Sequence, residues 1–185
     1  MNSLPEQFNF AQHLFALNRA RGDRIAYIDD QGALSYSALE DRARRLATVL
    51  ANAGVRREER VLLLMLDTRD WPAAFLGCVY AGVGRVAANT LLKPDDYAYM
   101  LTHCRAQAAL VSGALLPVLN EALTLAPHHE VRACVVSQPQ GMLAAGAVDM
   151  QAAMASIPAL AAPARTGPDG PGFWLYSSGS TGKPK

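Results

Sequence analysis

The chain has 185 residues, 51% of them hydrophobic, and its 17 basic residues against 16 acidic ones leave a net charge of +1. That is ample core material for one domain or part of a larger one, and the even charge gives no basis for nucleic acid or an anionic membrane surface as a partner. No apolar run reaches membrane-spanning length, and the start, Met1-Asn2-Ser3-Leu4-Pro5-Glu6-Gln7, lacks the basic opening and apolar core of a secretory signal.

Asn9 can cap a first helix with Phe10, Leu14 and Leu17 on one stripe and His13 on its polar flank. Arg24 to Ile28 reads as a strand, Asp29-Asp30-Gln31-Gly32 as a turn and Leu34 to Tyr36 as a return strand, a small hairpin outside the main pattern. Ser37-Ala38-Leu39-Glu40 has the form of a capping box. The helix it opens carries Leu39, Ala43, Leu46, Ala47 and Leu50, and Gly54 closes it. Arg42, Arg44 and Arg45, beside Glu40 and Asp41, read as a solvated face.

Val61 to Leu66 is continuously apolar, which suits a parallel strand covered on both faces. A helix follows from Trp71 to Val83, with Pro72 tolerated in its first turn. Then come a strand at Val86-Ala87-Ala88, a helix from Pro94 to Cys104 led by Asp95 and Asp96, a strand from Ala108 to Val111, a helix from Gly113 to Leu125 and a strand from Arg132 to Val136. This alternation predicts an α/β fold: βαβ units, a parallel sheet with flanking helices, and ligands gathered at the carboxyl ends of the strands. Cys78, Cys104 and Cys134 are three and widely spaced, without Cys-x-x-Cys. They read as buried thiols in a reducing cytoplasm rather than a disulfide framework or a zinc site. His128-His129 sits in a polar turn. From Gln138 to Gly172 the composition shifts to Ala, Pro and Gly, with one short helix at Asp149 to Ile157 and a linker-like loop from Pro158 to Gly172.

The last stretch carries the chemistry. Phe173-Trp174-Leu175-Tyr176 reads as a short buried strand that empties into Ser177-Ser178-Gly179-Ser180-Thr181-Gly182-Lys183-Pro184-Lys185. Glycines let backbone N–H groups approach a ligand, hydroxyls add donors, and lysine adds a mobile charge suited to phosphate. The spacing is not that of a Walker A loop, because Ser177 stands where the first glycine belongs and Pro184 keeps Lys183 from opening a helix. That spacing disfavours a kinase.

Tyr-Ser-Ser-Gly-Ser-Thr-Gly-Lys-Pro-Lys resembles the phosphate-binding motif of the AMP-forming adenylate-forming enzymes, the acyl-CoA synthetase superfamily. Asp67-Thr68, Trp71-Pro72-Ala73-Ala74-Phe75-Leu76-Gly77, Ala81-Gly82, Asn89-Thr90-Leu91-Leu92 and Asp95-Asp96-Tyr97-Ala98-Tyr99-Met100-Leu101 resemble the benzoate-CoA and 4-hydroxybenzoate-CoA ligase branch. The resemblance runs from about Phe10 to Lys185. It implies the first part of such an enzyme's N-terminal AMP-binding domain. Within it, 1–136 form a βα core with the hairpin, 137–172 an Ala/Pro/Gly-rich connection, and 173–185 the strand and phosphate-binding loop.

It also implies a role in the breakdown of aromatic acids. ATP, Mg²⁺ and coenzyme A would serve the complete enzyme, with Ser177, Ser178, Gly179, Ser180, Thr181, Gly182 and Lys183 as the nucleotide-binding residues. The family's acyl pocket, ribose-binding Asp and catalytic lysine normally lie further along. This stretch is therefore expected to be inactive alone, with no catalytic residue or metal ligand assigned in it. The alternative is a truncated, non-catalytic interaction module that self-associates through exposed sheet edges. One departure stands out: relatives carry a proline shortly before the position of Asn89, where this chain has Gly84-Arg85-Val86-Ala87-Ala88. An arginine at the mouth of a buried strand must reach water or a carboxylate, or it costs stability.

Overall fold

The computed structural model describes residues 5–177. Helix α1 (Phe10–Asn18) precedes a hairpin of β1 (Ile25–Asp29) and β2 (Gly32–Ser35). Then follow α2 (Tyr36–Asn52), β3 (Arg60–Leu64), α3 (Asp70–Tyr80), β4 (Gly84–Ala87), α4 (Pro94–His103), β5 (Ala106–Ser112), α5 (Leu116–Leu125), β6 (Ala133–Ser137), β7 (Ala147–Asp149), α6 (Met150–Ala155) and β8 (Phe173–Leu175). Among the described residues the main sheet has six strands in the order β7-β6-β5-β3-β4-β8, and all its pairings are parallel.

The period-two alternation of a strand explains the layering. On β3, Val61 and Leu63 face one way, onto Leu46 and Leu50 of α2, Ala74 and Cys78 of α3, and Met150 and Met154 of α6. Leu62 and Leu64 face the other way, onto Tyr97, Met100 and Leu101 of α4 and Leu119 of α5. Both sheet faces are therefore covered, and β5 is buried at every residue. A third cluster, with Ala11, Phe15, Leu34, Leu39, Ala43, Leu76 and Tyr80, fastens α1 and the hairpin to α2 and α3.

Several local expectations need correction. The buried face of α1 is Ala11 and Phe15, whereas Phe10 and Leu17 are exposed. Asn9 does cap the helix, accepting from the Gln12 N–H at 3.2 Å. Its amide also donates to the Val79 carbonyl at 2.9 Å, which fixes how α1 rolls onto α3. Helix α2 is capped by Ser35, not Ser37: the Ser35 hydroxyl accepts from the Ala38 N–H at 3.2 Å, while Ser37 donates to the Gly22 carbonyl. At its other end Val55 N–H bonds the Leu50 carbonyl and Gly54 N–H the Ala51 carbonyl, a Schellman arrangement that needs Gly54 at φ 76°.

Strand β7 lies in the stretch read from composition as connection; it pairs with β6 across three residues. The segment from Pro158 to Gly172 is a docked strap rather than a linker. Leu160 N–H bonds the Arg44 carbonyl, Ala164 N–H the Tyr80 carbonyl, and Phe8 N–H the Thr166 carbonyl. Backbone groups make these bonds, so composition does not reveal them. Arg44 and Arg45 of α2 also hold the segment, donating to the carbonyls of Leu160 at 3.0 Å and Ile157 at 2.6 Å. The same two residues pair with Glu40 and Asp41 one turn back. They form a clamp, not a merely solvated face.

Helices α2 and α3 approach closely where Gly77 meets Leu46. A Cβ at Gly77 would stand 2.8 Å from the Ala43 carbonyl oxygen and 3.2 Å from the Leu46 Cβ. Gly77→Ala is expected to destabilise the fold by about 1–3 kcal/mol through overpacking, read as a lowered midpoint in urea unfolding.

Candidate functional site

The chain reverses direction across the sheet after β4, because β5 lies beyond β3 while β8 returns beside β4. Strand β8 pairs with β4 by Arg85–Phe173, Val86–Trp174 and Ala87–Leu175. Its carboxyl end therefore comes out on the same side of the sheet as the ends of β3, β5 and β6, where ligands collect in sheets of this kind. Ser177, the first of the proposed loop residues, sits there and is exposed. Ser178, Gly179, Ser180, Thr181, Gly182 and Lys183 lie outside the described residues.

Contrary to the expectation of a buried strand, β8 is exposed: Phe173, Trp174 and Leu175 retain 53, 38 and 65% of their accessible surface. An edge strand with one neighbour has this property whatever its hydrophobicity. Residue Tyr176, just beyond it, is anchored. Its hydroxyl and His103 Nδ1 share a hydrogen bond of 2.7 Å. The His103 ring stacks on Tyr99 at 5.3 Å and meets Trp174 edge-on at 6.5 Å. Burial raises the Tyr176 pKa above its usual value, so the phenol keeps its proton. This contact has no local signal in the chain, because His103 and Tyr176 are 73 residues apart.

The neighbouring strand ends are held by side chains. Ser112 Oγ accepts from the Leu66 N–H at 2.9 Å. Asp70, buried at the start of α3, accepts from Ser137 Oγ at 2.6 Å and pairs with Arg42. Arg42 also donates to Gln151 of α6 at 2.8 Å. This arginine thus ties α2, α3 and α6 together, against the reading of a solvated face. After β4, the Tyr97 hydroxyl donates to the Asn89 carbonyl at 2.6 Å and accepts from the Leu92 N–H at 3.2 Å, shaping the Asn89-Thr90-Leu91-Leu92 turn.

Cys78 and Cys104 are buried as expected, whereas Cys134 is only half-buried. Burial pushes the thiol of Cys78 up to about 12 and those of Cys104 and Cys134 to about 11. Among the described residues no cluster of His, Cys, Asp or Glu could hold a metal ion, and no helix is long and apolar enough to cross a membrane. His129 lies in a turn-rich segment and accepts from the Val131 N–H at 3.1 Å.

Comparisons place these features among known proteins. The family model described as AMP-binding enzyme matches residues 14–185. A benzoate–CoA ligase of Thauera aromatica is 40% identical over 98% of this chain and 34% of its own length. A 4-hydroxybenzoate–CoA/benzoate–CoA ligase of Rhodopseudomonas palustris is 38% identical over 89% of this chain and 30% of its own. Among solved structures, a benzoate CoA ligase from Burkholderia xenovorans is 47% identical with a TM-score of 0.82, covering 91% of this chain and 32% of that one. An anthranilate CoA ligase in complex with anthranoyl-AMP is 28% identical with a TM-score of 0.89, covering 98% and 34%. The chain thus spans about a third of the length of the relatives it matches.

Two outcomes check the geometry. Asp70→Ala leaves the Arg42 guanidinium without its carboxylate in a largely dry site and should cost about 3 kcal/mol in urea unfolding. The thiols should resist iodoacetamide in the folded chain and react on unfolding. Because their folded pKa values lie above the ordinary 9.0, the stability they support is present below that pH and lost as pH rises toward 11–12.

Proposed function

Since the chain belongs to the AMP-binding enzyme family, we propose that it supplies the nucleotide-gripping part of an ATP-dependent aryl-CoA ligase acting on benzoate or a related aromatic acid. The observation that carries this reading is the position of β8: a strand whose carboxyl end, at the ligand-collecting edge of the sheet, runs into Ser177 and the hydroxyl- and lysine-bearing sequence after it. The identity to benzoate–CoA ligases supports the substrate class.

In the reaction, a carboxylate oxygen attacks the α-phosphorus of ATP, the bond to pyrophosphate breaks, and acyl-AMP forms. The thiolate of coenzyme A then displaces AMP. The first step brings an anion to a polyanion, so it needs positioning and charge neutralisation. Ser178, Ser180 and Thr181 donate hydroxyl bonds to the β- and γ-phosphates, and Gly179 and Gly182 let backbone N–H groups approach. Lys183 offsets the charge on the departing pyrophosphate. This donor set fits a triphosphate, and Mg²⁺ would neutralise part of its charge. Tyr176, pinned by His103, fixes where the loop begins.

This stretch spans about a third of the relatives' length, and we propose that the stretch by itself holds nucleotide without turning it over. Calorimetric titration should show saturable MgATP binding that Lys183→Ala weakens by about 10- to 100-fold, the worth of a charged hydrogen bond. ATP–pyrophosphate exchange with benzoate should be absent. Loss of MgATP binding would sink the loop assignment, and robust exchange would sink the claim of inactivity. The exposed apolar edge of β8 favours a second reading, a self-associating module. Sedimentation distinguishes it: that reading requires concentration-dependent dimers, and a compact monomer rejects it.

A further inference from the structure

A cavity of about 640 Å³ opens at the amino ends of β3, β4 and β8, where Arg60, Gly84 and Phe173 line it. It lies at the opposite ends of the strands from the proposed phosphate loop, and its size is that of a small-ligand site. Its walls are aromatic. Phe75 stacks on Trp71 at 5.2 Å and meets Phe173 at 6.0 Å, and Phe8, Phe10 and Trp174 also lie on the lining.

Arg85 stands among these rings. It is 92% buried, since only 8% of its surface is exposed. Its Cζ lies 4.7 Å from the centre of the Phe75 ring. Among the described residues its Nε has no hydrogen-bond partner and no carboxylate pairs with it. Burial lowers its pKa, which reports the same desolvation. A ring face offsets part of the cost of a buried guanidinium, but the planar fork of donors still wants an anion. Of the other cations on the lining, Arg57 pairs with Glu58 at 2.9 Å, Arg60 donates to the Cys104 carbonyl at 2.5 Å, and Arg165 is exposed to solvent, which screens its charge. Glu58, on the same lining, is spoken for by Arg57 and lies out in solvent. Arg85 is thus the one buried cation on this lining without a carboxylate among the described residues, and such a charge set among aromatic rings suits a monoanion with a flat apolar body.

We propose that this cavity binds a small aromatic monocarboxylate, its carboxylate on Arg85 and its ring against Phe75 and Phe173. The site is distinct from any that the phosphate loop serves, and it depends on Arg85. It does not rest on the function proposed above.

The test is calorimetric titration of the whole 185-residue chain with sodium benzoate and, separately, with benzamide, which has nearly the same shape and no charge. Benzoate should bind saturably, and benzamide at least about tenfold more weakly. Arg85→Met should weaken benzoate by a similar factor, and Arg85→Lys, which keeps the charge without the fork, by less. Circular dichroism establishes that each variant is folded; if Arg85→Met is not, the benzoate–benzamide comparison on the unaltered chain decides. Benzoate that fails to saturate, equal binding of the two compounds, or a folded Arg85→Met chain with undiminished benzoate affinity would each overturn the proposal. MgATP titrated into the same sample reports on the phosphate loop separately, so failure at one site is not mistaken for failure at the other.

Discussion

Three rungs of parallel pairing between β4 and β8 decide where the hydroxyl- and lysine-rich sequence emerges. Strand β8 is short and exposed and has a single neighbour, so it cannot hold that position by burial. What holds it is the approach. The strap from Pro158 to Gly172 is bonded in turn to α2, α3 and the segment before α1, and so delivers Phe173 opposite Arg85 in register. Beyond the strand, the Tyr176–His103 hydrogen bond fixes the exit. Without the strap, an edge strand of three residues contributes too few contacts to order itself.

Much of this architecture is legible in the chain because both faces of the sheet are covered. A strand buried on both sides must be apolar throughout, and the run from Val61 to Leu64 is. The helices around it are marked by spacing and by caps such as Asn9, Pro94 and Gly54. What was not legible depends on groups without a sequence signature. Strand β7 has only three residues, Ala147-Val148-Asp149, whose types do not alternate apolar with polar, and the strap is held mainly by carbonyl and N–H groups that every residue has. The proposed site divides in the same way: its motif is plain as sequence, whereas its support by His103 and Tyr97 comes only from the tertiary arrangement.

Arginine illustrates the limit best. Arg44 and Arg45 reach partners one turn away on the helix, and the same side chains also hold the strap. Arg42, on the same helix, turns inward to a buried Asp70. Arg85 pairs with none of the described carboxylates and rests on a phenylalanine ring. Charge and spacing treat the four alike. Only the position of the neighbouring carboxylate or ring separates a clamp, a buried tie and an unsatisfied cation, and that position is set by residues distant in the chain.

The central claim is that the sheet presents Ser177–Lys183 to a triphosphate. Hydrogen–deuterium exchange of the chain with and without MgATP tests it most directly. The account predicts that added MgATP slows exchange of the amides between Ser177 and Lys183, with little change along α1, the hairpin and the strap. Unchanged exchange across those loop amides under saturating MgATP, or protection confined to another part of the molecule, would contradict it.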